Sequence, residues 1–199
     1  MADKINTTVA QNTLKDISKE VVSLEASAII SLFEINLSDI KTNLNLGSTD
    51  IAPDVLRFHG NESIGQRKIS FRGDTYHPMP IQVDGFEMSS NGAMPRPTLF
   101  IPSLKGILEE SEGNEYFMSL KRAVLELNNM IGAKVTRLRT FYKFLDASNT
   151  NLEGVGDFTS GTGNNPEFPK EVYFIERKMN VDIFCQENSW LDLIMEMAN

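Results

Sequence analysis

Apolar residues recur at three- and four-residue steps at Leu14, Ile17, Val21 and Leu24, with Thr13 placed to cap and Lys15, Lys19 and Glu20 on the polar side. This spacing predicts an amphipathic helix over about residues 12–24. The next segment changes period. Phe33, Ile35 and Leu37 alternate with Glu34 and Asn36 after a β-branched start, which predicts a strand over 28–37. Residues 38–56 are rich in Asn, Ser, Thr, Asp and Gly and predict a long surface loop of the kind that touches partners.

From 57 to 102, short β-prone runs are cut by turn residues. They are 68–71, the turn Arg72-Gly73-Asp74, Thr75 to Val83, the turn Asp84-Gly85, Phe86 to Ser89, the turn Asn91-Gly92, and Thr98 to Ile101. Such spacing suggests a meander in a sandwich or barrel. Phe117, Leu120, Val124, Leu127 and Ile131 then return to the helical period, predicting a helix over 115–131 with Gly132 as its C-cap. Two more strands are expected, at Lys134 to Leu145 with Arg137, Arg139 and Lys143 interleaved, and at Glu171 to Met179. Between them lies a Gly/Asn-rich loop, 148–170. The fold class is therefore mainly β (α+β), a β-sandwich or barrel with an N-terminal helix and one internal helix. Its expected divisions are an arm at 1–26, a β-rich domain at 27–185 and a C-terminal segment at 186–199.

Composition narrows the functional classes. A chain of 199 residues with 41% hydrophobic and 23% charged residues has the make-up of one packed domain or two small ones, not of a disordered or fibrous chain. No apolar run reaches the ~18 residues that span a bilayer. Membrane insertion is not expected, and no secretory signal is readable at the N-terminus. The formal charge of −8, without any Lys/Arg-rich segment, argues against gripping nucleic acid through its phosphates. Cys185 is the one cysteine and lies in an apolar stretch, so it reads as a buried thiol.

Candidate chemistry is sparse. His59 and His77 have no sequence signal for a triad or metal site, and the prolines of Tyr76-His77-Pro78-Met79-Pro80 force an extended segment. Gly154, Gly156, Gly161 and Gly163 lack the following Lys-Ser/Thr and helix of a phosphate loop. Asp146, Ser148, Thr150 and Asp157 are spaced faintly like a calcium loop, but Asn151 stands where glycine is needed. Glu109, Glu110, Glu112 and Glu115 complement the start of a helix more simply than they form a glycosidase pair. No catalytic, metal or cofactor residues are assigned.

Several ordered motifs carry a resemblance. They are Arg57-Phe58-His59-Gly60; Phe71-x-Gly73-x-x-Tyr76; Tyr76-His77-Pro78-Met79-Pro80-Ile81; Gly85-Phe86-Glu87; Pro95-Arg96-Pro97-Thr98-Leu99; Gly132 to Phe141; Leu145-Asp146-Ala147; and Pro169-x-Glu171 to Lys178. In this order, over roughly residues 22–193, the chain resembles the phage minor tail protein L family.

The resemblance implies a tail-tube- or hub-like domain and a structural, non-enzymatic role at the virion tail tip. It also implies synthesis in the bacterial host cytoplasm. It places the protein in a ring of three or six copies between the distal tail protein and the central hub, with genomic DNA passing nearby without specific binding. Members of the family carry a further cysteine-bearing region that can hold an iron–sulfur cluster; with Cys185 alone, that cofactor is not carried over.

Five of the eight prolines fall between 78 and 102, and proline bars interior ladder pairing, so this stretch is expected at sheet edges or in arms that dock a neighbour. Pro95, Arg96 and Pro97 are the expected subunit-interface residues there, Arg96 as an intersubunit ion pair. Trp190 and Leu191 join them, because the apolar end Trp190 to Met197 is expected to be covered by another chain. The alternatives are a tail-associated cell-wall hydrolase or peptidase, and a host-side binding protein.

Overall fold

The computed structural model describes residues 14–48, 50–61, 64, 67–79, 81–86, 96–101, 120, 122–150, 152, 155, 158, 165–180 and 193–198. Helical residues 14–21 (α1) are followed by β1 (Ile29–Asn36), α2 (Ser38–Asn43), β2 (Val55–His59), β3 (Ile69–Phe71), β4 (Asp74–Pro78), β5 (Gln82–Asp84) and β6 (Thr98–Ile101). Helical residues 122–126 (α3), β7 (Lys134–Phe141), β8 (Glu171–Asn180) and β9 (Leu193–Ala198) complete the order. The strands form one mixed sheet in the order β3-β4-β2-β1-β7-β8-β9-β6-β5. The chain is mainly β with a few helices.

This order is not the expected meander, and the connection from β4 to β5 shows why. β4 and β5 stand seven positions apart in the order, which would be about 34 Å in a flat sheet. Only three residues lie between Pro78 and Gln82, and the four steps they make reach about 14 Å at most. The ladder therefore rolls up into a barrel-like form, as the barrel reading requires. The single run expected over 75–83 is two strands: β4 pairs parallel with β2, and β5 pairs antiparallel with β6. Pro78 lies at the changeover, where a missing amide N–H costs no ladder bond.

Alternation along β1 serves two cores. Phe33, Ile35 and Leu37 enter the large cluster inside the roll, with Leu56, Phe58, Leu99, Val135, Tyr173, Ile175, Met195 and Met197. Leu120, Ala123, Val124 and Leu127 bring the internal helix onto the same cluster. Ile30 and Leu32, on the opposite face, pack with Ile69, Phe71, Tyr76 and Leu138 beneath the β3–β4 hairpin. Phe86, two residues past β5, packs tilted against Phe33 and edge-on against Tyr173, which ties the far end of the ladder to its middle.

Several expectations need correction. The stretch 38–56 is not an open loop, since α2 and the start of β2 lie within it. Lys41 is buried there, its Nζ donating to the carbonyls of Ser48 (2.6 Å) and Ala52 and to Asp54 Oδ1 (3.1 Å), so the segment is tied down internally. In α1 only Ile17 of the apolar stripe is buried; Leu14, Val21 and Leu24 are exposed, while Glu20, assigned to the polar side, is inside. The internal helix stops at 126, short of Gly132, because Asn128, Asn129 and Met130 turn to positive φ. Of the apolar end expected to be covered by another chain, Met195 and Met197 are buried within this one, on β9 between β8 and β6. The expected Asn91-Gly92 turn and the segment 87–89 lie outside the described residues.

Candidate interaction surfaces

Arg72 and Gly73 join β3 to β4 with φ of 56° and 87°, the paired left-handed conformation of a tight hairpin turn. Glycine takes this freely; arginine does not. Asp146 holds the turn in place. Its Oδ1 accepts the Arg72 amide (2.9 Å) and Asn165 Nδ2 (2.8 Å), and its Oδ2 accepts the Gly73 amide (2.8 Å) and Ser70 Oγ (2.8 Å). Burial would raise the Asp146 pKa, but these hydrogen bonds, led by that of Gly73, outweigh it and hold the carboxyl below its usual range. Asp146 is thus a fold clasp, not part of a calcium loop; among the described residues no group of three His, Cys, Asp or Glu side chains is arranged to hold a metal.

The same loop closes a sheet edge. β3 pairs with β4 alone, and a bare edge strand invites pairing with another chain. Asn149 Oδ1 accepts the Ser70 amide (2.7 Å) and its Nδ2 donates to the Ser70 carbonyl (2.8 Å), so one side-chain amide imitates the peptide group of a missing strand. The Asp146 amide adds a further bond to the Ser70 carbonyl. Arg72 continues the clasp, donating to the Asn165 carbonyl and to Glu167 Oε1 (2.8 Å). Of the loop expected over 148–170, Asn149, Asn165 and Glu167 are here bound to the hairpin and its Asp146 clasp.

His59 is held by the backbone. His59 is 1% exposed, with Nε2 2.8 Å from the Arg67 carbonyl and the Asn61 amide facing Nδ1 at 3.4 Å, so backbone groups occupy both ring nitrogens. Burial lowers its pKa and keeps the ring neutral. Tyr76 donates to Glu34 Oε1 (2.7 Å), which also receives Arg57 Nε (3.2 Å); burial, followed by the Glu34 charge, pushes the phenol up. A cleft of about 320 Å³ lies beside α1, and its Lys143 and Glu20 are already paired with each other. The Lys143 hydrogen bond, and then that of the Ser27 amide, holds the Glu20 carboxyl low.

Of the expected interface residues, Arg96 is exposed and makes no ion pair among the described residues, whereas Pro97 is buried and its carbonyl accepts the Met197 amide (2.9 Å). A Cβ at Gly85, where φ is +79°, would stand 3.1 Å from the Arg96 carbonyl. The two ends of the 85–97 connection therefore meet at the base of the β5–β6 hairpin, with Arg96 at its rim. Pro95, Trp190 and Leu191 lie outside the described residues, as do Cys185, Asp157, the four loop glycines and the four glutamates 109–115. One cysteine in 199 residues does not fit an iron–sulfur cluster that takes four thiolates.

A second polar group sits where the β7 face leaves the core. Arg137 and Arg139 flank Glu171: Arg137 Nη1 is 3.3 Å from Oε2 and Arg139 Nη2 is 2.6 Å from Oε1. Phe86 covers the Arg137 guanidinium at 4.4 Å, and Phe168 covers that of Arg139 at 5.3 Å. The i, i+2 arginines on a predicted strand were the available sequence signal; their sharing of one carboxylate required the β7–β8 register.

The family model for phage minor tail protein L matches residues 49–184, from before β2 to the segment after β8. The tail tip protein L of Escherichia phage lambda is 25% identical over 139 residues, covering 70% of this chain and 50% of that protein. The chain thus spans about half the length of the curated relative it matches.

Proposed function

Because the chain belongs to the phage minor tail protein L family, we propose that it is a structural, non-enzymatic part of the tail tip of a long-tailed bacteriophage. In this reading three or six copies form a ring between the distal tail protein and the central hub. The family match carries the proposal, since it covers most of the rolled sheet and not one short motif. The net charge of −8 supports a ring past which genomic DNA moves without being held. Among the described residues no helix is long and apolar enough to cross a membrane.

The β5–β6 arm supports a docking role: its ends are fixed by the Gly85 contact, and Arg96 projects at the rim. Pro95→Ala combined with Pro97→Ala is expected to reduce incorporation into tails more than it lowers subunit stability. Normal incorporation would remove the arm from the interface.

Quantitative mass spectrometry of purified particles, scaled to the major tail-tube protein, tests the whole reading. A count near three or six copies per virion supports it and gives the ring symmetry. Absence from particles overturns it, and peptidoglycan or peptide cleavage by the purified protein would favour the hydrolase.

A further inference from the structure

We propose that Arg137 and Arg139 form an intersubunit socket that takes a carboxylate side chain from a second copy of this chain. The inference rests on the ring reading above and names a contact within it.

Charge accounting leads to it. Glu171 has two oxygens, and each is already engaged by one of the two guanidiniums. Glu167, the acid on the adjoining segment, is engaged by Arg72 at 2.8 Å and by Lys170 at 3.9 Å. Among the described residues the group therefore retains one positive charge beyond that of its carboxylate. Arg137 has one further partner, Ser31 Oγ at 3.4 Å, while Arg139 has Glu171 alone among the described residues.

Geometry makes that charge a receptor. Phe86 and Phe168 lie against the two guanidinium faces and the Nε atoms are buried, which leaves the terminal Nη groups for hydrogen bonding. Arg139 is 34% exposed, against 17% for Arg137, so its Nη groups present donors to a neighbour while both guanidiniums hold Glu171. β7 and β8 hold the three side chains in register, so little ordering is left to be done on binding. Rigid arginine edges framed by aromatic rings suit the planar, two-oxygen shape of a carboxylate.

Charge complementarity points to a second copy as the source. The chain carries 27 acidic against 19 basic residues, so another copy offers surplus carboxylates that would otherwise repel an identical acidic surface. A positive socket is what lets two such surfaces meet.

Sedimentation velocity and native mass spectrometry of the full chain, at low and at raised salt, test this. Wild type is expected to form a discrete oligomer that weakens with salt. Arg139→Glu should raise the dissociation constant at least about tenfold with near-ultraviolet circular dichroism unchanged. Glu171→Gln separates docking from a purely internal role, because it frees both arginines and should preserve or strengthen association. A folded Arg139→Glu protein that associates normally overturns the socket and leaves the ring standing. If Arg139→Glu fails to fold, the Glu171→Gln variant decides: loss of association overturns the socket, and retention supports it. A wild-type chain that stays monomeric at every concentration overturns both the socket and the ring.

Discussion

Replacing Asp146 by Asn removes one oxygen and one charge from a side chain with no solvent exposure, while preserving its shape. Four donors converge on the carboxylate. If the amide oxygen takes the Oδ1 position, the Arg72 amide and Asn165 keep their acceptor, and the Ser70 hydroxyl can rotate to accept from the new NH2. The Gly73 amide has no such remedy: its N–H would face another N–H. One buried backbone donor without an acceptor costs about 1–3 kcal/mol, and loss of the charge weakens each surviving bond by about half. Together these give a loss of about 3 kcal/mol, a large fraction of the ~5–15 kcal/mol that domains possess.

Urea unfolding at pH 7 measures this loss. The sign with pH is also determined. Asp146 has a folded pKa below its unfolded one, so its contribution is complete above about pH 4 and is lost as pH falls through the depressed value. The variant should show a shallower decline in that acid range. A loss under about 1 kcal/mol at pH 7, or an unchanged acid limb, would refute the account of the clasp.

Asn149→Ala uncovers the Ser70 N–H and C=O on the edge of β3; the expected result is lower stability by about 2 kcal/mol, together with concentration-dependent association seen by light scattering. Leu127→Ala, at 0% exposure, should cost about 2–5 kcal/mol in chemical denaturation, whereas Leu24→Ser, fully exposed, should stay within about 0.5 kcal/mol. His59 binds its proton more weakly when folded, so stability should fall as pH drops below the unfolded value of about 6.5, and His59→Gln should flatten that slope in urea midpoints taken between pH 7.5 and 5.5.

Local pattern alone gave β1, β7 and β8, the Arg72-Gly73 turn and the buried Leu120, Val124 and Leu127 of the internal helix region, though not the exposed Ile131, because each depends on neighbours within a few residues. Ordered motifs also identified the family.

What needed the tertiary structure was every feature decided by residues far apart in the chain. The 38–56 stretch reads as polar loop until Lys41 finds three acceptors up to 13 residues away. α1 reads as a four-residue apolar stripe, yet Glu20 goes inside because Lys143, 123 residues later, meets it there. Asp146 reads as a weak calcium ligand, but its donors come from a hairpin more than 70 residues upstream and from Asn165. β9 reads as an uncovered apolar tail until the rolled sheet opens a place for it between β8 and β6. Periodicity reports which side of a segment is apolar; which side is buried depends on what the rest of the chain brings to it.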